Sequence, residues 1–355
     1  MPTVTSDEIV KIADVMLRAG GASKGHAMTV AEHLANANLA GHDSHGFIRI
    51  PQYLGNIKDG TLDPKAEPEV VGENAGIAQV NGHGTFGQVV ATLATRLGIE
   101  KARESGISLV TMGNLNHTGR VGTYPEMAAE EGMAAIMFTG FCGGTFGNNV
   151  APFGGRARRL GTNPISMSFP HTDEGPVLLD FASSIAAEGK LRVYRNRGHQ
   201  LPDEWVLDKD GVPSRDPNAY YDGGAILPVG GVKGGHKGYA LSVMVALYGA
   251  LLGQIAAPET EEEGTWSGSS IIVIDVAGMS PIEGVRSQVR NMTRYLKDTP
   301  TVEGVSAVLY PGEIEANTRR ERLASGVDIE PATWEQVTEL MEEYGVAGEL
   351  AGIGG

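Results

Sequence analysis

One cysteine in 355 residues, Cys142, leaves this chain no partner for an intramolecular disulfide and no thiolates for a four-cysteine zinc site. That scarcity fits a reducing compartment. Basic residues are few beside acidic ones, 28 Lys and Arg against 43 Asp and Glu. The formal net charge of -15 argues against nucleic acid or an anionic membrane surface as partner. Long apolar runs are missing too. The longest, Tyr239 to Leu252, is too short and too interrupted by glycine to span a bilayer. No basic and apolar leader opens the chain, so the expectation is a soluble cytoplasmic protein that meets neither nucleic acid nor membrane. There is also no internal repeat.

Glycine, by contrast, is plentiful. The 50 glycines are about twice the usual share and are scattered among apolar segments, which suggests tight turns and close backbone approaches. With 41% apolar residues the chain can bury a sizeable core, in two or three lobes. Thr5 and Glu8 are spaced as a capping box, and Ile9, Ile12, Ala13, Met16 and Leu17 follow on one helical face. A second helix is expected from about Ser23 to Ala40, and a shorter one after Ile50. Residues 1–70 then read as a helical lobe, 71–314 as the catalytic body and 315–355 as a C-terminal helical segment.

The chemistry concentrates in Gly41-His42-Asp43-Ser44-His45-Gly46-Phe47-Ile48-Arg49. Arg49 offers a planar fork of donors matched to a carboxylate, and His45 is a side chain that titrates near neutrality. The plain alternative is a polar loop capping a helix. A metal site built from His42, Asp43 and His45 is a further alternative, although adjacent residues rarely converge on one ion without distant partners. Next, Gly82-His83-Gly84-Thr85-Phe86-Gly87 carries the glycine spacing of a dinucleotide turn between an expected strand and helix. The following strand, Ile107–Met112, ends in no acid for a ribose, so the glycines are read as serving geometry only. Asn116 and His117 lie just past that strand, where α/β folds place reactive groups.

Further along, Gly140 to Gly155 reads as an extended loop, and Arg156, Arg158 and Arg159 form a positive spot. The strand Val177–Phe181 contains Asp180, followed by the small residues Ala182, Ser183 and Ser184 and by Glu188-Gly189-Lys190. The stretch Gly230 to Gly238, with Lys233 and His236, reads as a glycine-rich basic loop opening onto a helix amino terminus, a ready anion site. The segments 254–268 and 319–322 read as exposed and charged, and Val305–Leu309 as a strand.

Taken in order, Ser44-His45-Gly46 with Arg49, Asn116-His117 with Gly119, Gly161-Thr162-Asn163-Pro164, Asp180, Lys233-Gly234 and Pro311-Gly312-Glu313 resemble the malate/L-lactate dehydrogenase family, over nearly the whole chain. The resemblance implies an α/β (α+β) fold with a non-Rossmann, mixed or antiparallel cofactor sheet wrapped by helices, and a homodimer. It implies NAD or NADP, with NAD preferred, and a small carboxylate substrate, a 2-oxo or 2-hydroxy acid. A cyclic imino acid reduced on the same scaffold is the alternative. By position it assigns His45, His117 and Lys190 to catalysis and Ser44, Arg49, Asn116 and Thr162 to substrate. To the cofactor it assigns Thr162, Asp180, Phe181, Ala182, Ser183, Ser184, Lys233, Gly234, His236, Gly312 and Glu313. No metal is implied. Members differ over which histidine moves the proton, and His45 and His117 both stay open. The glycine-rich stretch from Gly140 departs from the family pattern.

Overall fold

The computed structural model describes residues 2–143, 148–170, 175–253 and 266–353. Thr5 caps the first helix, Ser6–Ala19, as its spacing predicts: Glu8 N donates to Thr5 Oγ1 at 3.2 Å and Thr5 N to the Glu8 carboxylate at 2.7 Å. This helix, Lys24–Leu39 and Ile50–Lys58 bury Ile12, Met16, Val30, Leu34, Ile50 and Leu54 in one core. The chain's far end joins that core through Val337, Met341 and Leu350, and Thr3–Val4 pairs antiparallel with Val327–Asp328.

A seven-stranded sheet forms the body, in the order Glu69–Glu73, Ile77–Asn81, Ile107–Gly113, Trp266–Ile274, Ala134–Cys142, Pro164–Phe169, Val177–Ala182. Only the pair Ile77–Asn81 and Ile107–Gly113 is parallel, joined by the crossover helix Gly87–Ser105. The other pairings are antiparallel, so the sheet is mixed and not doubly wound. Alternation along the central strand sends Ile271 and Val273 into the core beneath the crossover helix. Ser270 faces the other way and donates to Tyr248 O at 2.8 Å. A third core, with Val150, Leu160, Leu191, Val206 and Ile226, supports a small three-stranded sheet.

Several expectations are corrected. Gly140 to Cys142 continue a strand, because the absence of a Cβ at Gly140 lets the Ala246 backbone approach; a Cβ there would lie 2.7 Å from Ala246 Cα. The glycine-rich stretch before Tyr239 is itself helix, Gly231–Val245, running on into π-helical turns over Ala246–Leu251. Gly238 admits the Val229 backbone: a Cβ there would meet Val229 O at 2.3 Å. Val305–Leu309 is irregular, and the 319–322 segment is not simply solvated. Arg322 there donates to both oxygens of Asp43, at 2.6 and 3.0 Å, and so ties the helix Glu313–Ser325 to the N-terminal lobe. Most of the expected acidic loop, 254–265, lies outside the described residues.

Candidate active site

Two short 3-10 turns, Asp43–His45 and Phe47–Arg49, present the residues of the first motif. Asn38, near the end of the preceding helix, holds them: its Oδ1 accepts from Phe47 N at 2.7 Å and its Nδ2 donates to Asp43 Oδ1 at 2.7 Å. Gly46 is required there, since a Cβ would sit 2.1 Å from Asn38 Oδ1. Phe47 is buried and stacks on Trp334 at 6.0 Å, which anchors the turn in the lobe. Arg49 Nε donates to Ser44 O at 2.6 Å and another of its nitrogens to Gln52 Oε1. His42 turns to Glu315 at 3.5 Å and Asp43 to Arg322, so neither shares a point with His45. Among the described residues no three His, Cys, Asp or Glu side chains are grouped to hold a metal ion.

The second motif arrives from the sheet. The glycine turn encloses protein and not a phosphate: Gly82 N donates to Gly113 O at 2.9 Å and Gly84 N to Asn114 O at 2.8 Å. A Cβ on Gly87 would meet Asn116 O at 2.2 Å and His117 C at 2.6 Å. The glycines therefore let the 114–117 segment lie against the helix start. Asn116 Nδ2 donates to Gly84 O at 2.8 Å and Thr61 O at 3.1 Å, which fixes the segment. Gly87→Ala is expected to shift His117 and lower kcat about 100-fold, the cost of roughly an ångström of misplacement. Steady-state kinetics beside a thermal melt checks it, and an unchanged kcat would show that the close packing does not position His117.

His45 and His117 then stack, ring centroids 5.5 Å apart and planes 17° apart. His45 Nδ1 lies 3.0 Å from Ser44 Oγ, and His117 Nδ1 lies 2.9 Å from the buried Tyr53 hydroxyl. Burial, and then the Arg49 cation, pull the His45 pKa down to about 3 and the His117 pKa well below its usual value. Burial pushes Tyr53 up to about 12, so its hydroxyl stays protonated. The site in its free state thus holds two neutral imidazoles beside one guanidinium.

Sequence patterns do not reveal the residues behind this pair. Buried His33 stacks on Tyr124 at 5.6 Å and accepts from Arg120 N at 2.9 Å. Arg120 is fully buried, donates to Glu126 at 2.8 Å and lies 3.7 Å from Asp180 Oδ2, which also accepts from Gly122 N at 3.0 Å. Burial raises the Asp180 pKa, opposed by Arg120. Asp180 thereby ties the loop after His117 to the sheet edge. Lys190 is exposed on the helix Glu188–Asn196, and the groups of that helix that act electrostatically on Arg49 are Glu188 and Arg192.

The positions assigned to a cofactor gather along the terminal strand Val177–Ala182. Thr162 O accepts from Ser183 N at 2.9 Å and from its Oγ at 3.0 Å, and Val229 N donates to Ser183 O at 2.9 Å. Ser184 Oγ donates to Ala186 O at 2.8 Å; Phe181 is exposed and Ala182 half-buried. At the strand's other end Pro311 O accepts from Leu178 N at 3.0 Å, and Gly312 adopts φ 95°. Two helices begin beside this strand, Gly231–Val245 and Glu313–Ser325, each after a left-handed glycine and with no side-chain cap. Lys233 and His236 are exposed in the first turns of one, with Gly234 half-buried between them. Uncapped amide groups of that kind suit an anionic diphosphate. Glu313 does not face outward: it is buried, pairs with Lys297 and accepts from Tyr310 N at 3.1 Å.

A family model described as malate/L-lactate dehydrogenase matches residues 4–338. A malate dehydrogenase from Pyrococcus abyssi is 33% identical, with 97% of this chain and 96% of that protein covered. Among solved structures, malate dehydrogenase from Entamoeba histolytica superposes with a TM-score of 0.90 at 28% identity, covering 97% of this chain and 98% of that one. A delta1-piperideine-2-carboxylate reductase from Pseudomonas syringae superposes with a TM-score of 0.80 at 29% identity, covering 96% and 100%.

Proposed function

We propose, for a chain that belongs to the malate/L-lactate dehydrogenase family of oxidoreductases, the interconversion of a small 2-oxo acid and its 2-hydroxy acid with His117 as proton carrier. The observation that carries the proposal is the stacked His45–His117 pair beside Arg49, with the buried Tyr53 hydroxyl holding Nδ1 of His117. A nicotinamide cofactor, held by the uncapped helix starts at Gly231 and Glu313 and by the Thr162 to Ser184 edge, supplies or takes the hydride at C2 when bound. Arg49 binds the substrate carboxylate, with Ser44 beside it. His117 Nε2 gives a proton to the C2 oxygen in reduction and takes it back in oxidation. His45, its Nδ1 on Ser44, orients the same oxygen.

A bound carboxylate cancels the Arg49 charge that depresses His117. Its pKa therefore rises in the complex, toward the range where an imidazolium can act as acid. Arg192 pairs with Glu188 at 2.7 Å and Arg195 lies over the Tyr221 ring at 4.4 Å, so neither offers a free cation to the 2′-phosphate of NADP, which favours NAD. Exposed Met279, Met292, Tyr295, Leu296, Val302 and Val305 support a homodimer. The single cysteine and acidic charge support a cytoplasmic location, and among the described residues no helix is long and apolar enough to cross a membrane.

Absorbance of the reduced nicotinamide band tests this directly, with NADH or NADPH against a panel of 2-oxo acids and cyclic imines. Oxidation of NADH by an oxo acid is expected. Turnover of imines alone would replace the oxo-acid reading with the imino-acid one. No turnover, with no cofactor binding by fluorescence, would remove the oxidoreductase reading.

A further inference from the structure

Gln88, the residue directly after Gly87, is fully buried on the crossover helix. Its Nε2 donates to the Tyr53 hydroxyl at 2.6 Å, and that oxygen lies 2.9 Å from His117 Nδ1. Gln88 Oε1 is buried with no hydrogen-bond partner among the described residues. Three groups in a row with one hydroxyl proton between them have two satisfied arrangements. When Gln88 offers N–H, Tyr53 gives its proton to His117 Nδ1, and His117 carries its own proton at Nε2. When Gln88 offers its carbonyl, Tyr53 donates to it and accepts from His117 Nδ1–H, which leaves Nε2 bare. Mixed arrangements strand a buried donor or acceptor, at a cost of about 1–3 kcal/mol.

Resting on the oxidoreductase reading above, we propose that Gln88 is a positioning residue that sets, through Tyr53, which ring nitrogen of His117 holds the proton. A half-turn of its amide, whose two ends have the same shape, exchanges the arrangements. With nitrogen toward Tyr53 the ring cannot take a proton at Nε2. With the carbonyl toward Tyr53, Nε2 takes the hydroxyl proton of a 2-hydroxy acid; the same bonds hold the imidazolium that returns it to a 2-oxo acid. The charged and titratable neighbours that bear on His117 are Arg49, His45 and His33, and its Nδ1 is bonded to Tyr53. The glycine turn therefore has a chemical reason to end at this helix: Gly87 admits the His117 segment, and the next residue orders its proton.

Long-range 1H–15N spectra of histidine rings report the tautomer without turnover, with the His117 signals identified by their loss in His117→Asn. The unchanged protein is expected to show the Nε2–H form. Gln88→Glu, whose carboxylate only accepts, is expected to move His117 to Nδ1–H or imidazolium, and adding Tyr53→Phe to abolish that change. Gln88→Leu keeps the volume and covers the case in which a buried Glu does not fold. It is expected to lower kcat about tenfold, a fraction of the full worth of acid–base catalysis, with KM within twofold. In a Tyr53→Phe background it is expected to cost nothing further. One His117 tautomer in both the unchanged protein and Gln88→Glu, or additive losses for Gln88→Leu and Tyr53→Phe, would overturn the proposal. A protein that turns over no oxo acid removes the oxidoreductase reading instead, while the spectra still report on the relay.

Discussion

Replacing His117 with asparagine is expected to lower kcat about 100- to 10,000-fold, the range for losing a positioned acid or base, with KM within a few-fold. Asparagine is smaller, keeps an amide to meet Tyr53 and leaves the backbone of the 114–117 segment as it is. His45→Asn is expected to act differently. Its ring leans on Ser44 Oγ, a partner exposed to solvent, and among the described residues no carboxylate acts on it. That variant should chiefly raise KM. The two rings face the same Arg49, so the contrast between them isolates what stands behind each Nδ1: one exposed hydroxyl, or a buried hydroxyl fixed by a buried amide. Parallel kcat and KM measurements decide it. Near-normal turnover in both variants would sink the mechanism, and a larger kcat loss in His45→Asn would exchange the roles.

The Asn116-His117 segment is legible in the sequence because it follows a strand and is rich in polar residues and glycine. Its supports are not. Tyr53 and Gln88 lie 35 residues apart in the chain, and each sits on a helix where an apolar-facing position reads as ordinary core. His33 and Arg120 are 87 apart, and nothing local marks an arginine that is to be fully buried. Glycine misleads in one direction. From sequence a glycine looks like a turn or a helix breaker, and the stretch before Tyr239 reads as a loop. In the fold that stretch is helix from Gly231 onward, and Gly238 marks where the Val229 backbone passes, a contact that glycine spacing alone does not announce. The strand order is likewise beyond local pattern: nothing near Trp266–Ile274 places it between Ile107–Gly113 and Ala134–Cys142.

Arg49→Met is expected to lower kcat/KM roughly 30- to 3,000-fold, mostly through KM. Truncating one partner of a shielded charge pair costs about 2–5 kcal/mol, and each 1.4 kcal/mol is about tenfold. Methionine keeps much of the apolar stem. Inside the free protein it gives up only the hydrogen bonds to the Ser44 carbonyl and to Gln52, on residues with access to solvent. Arg49→Lys should recover little, because an ammonium cannot present two parallel donors to a carboxylate. A second consequence separates this role from a merely structural one. Arg49 is the largest charge contribution holding both histidines down, after burial. Removing it raises their pKa values, so neutral His117 is lost at a higher pH as the solution is acidified. The acid limb of kcat/KM for oxidation should therefore move upward in Arg49→Met relative to the unchanged protein. If KM for the oxo acid stayed the same and the limb did not move, the substrate carboxylate would have to bind elsewhere, and another cation that bears on Arg49 is Arg192.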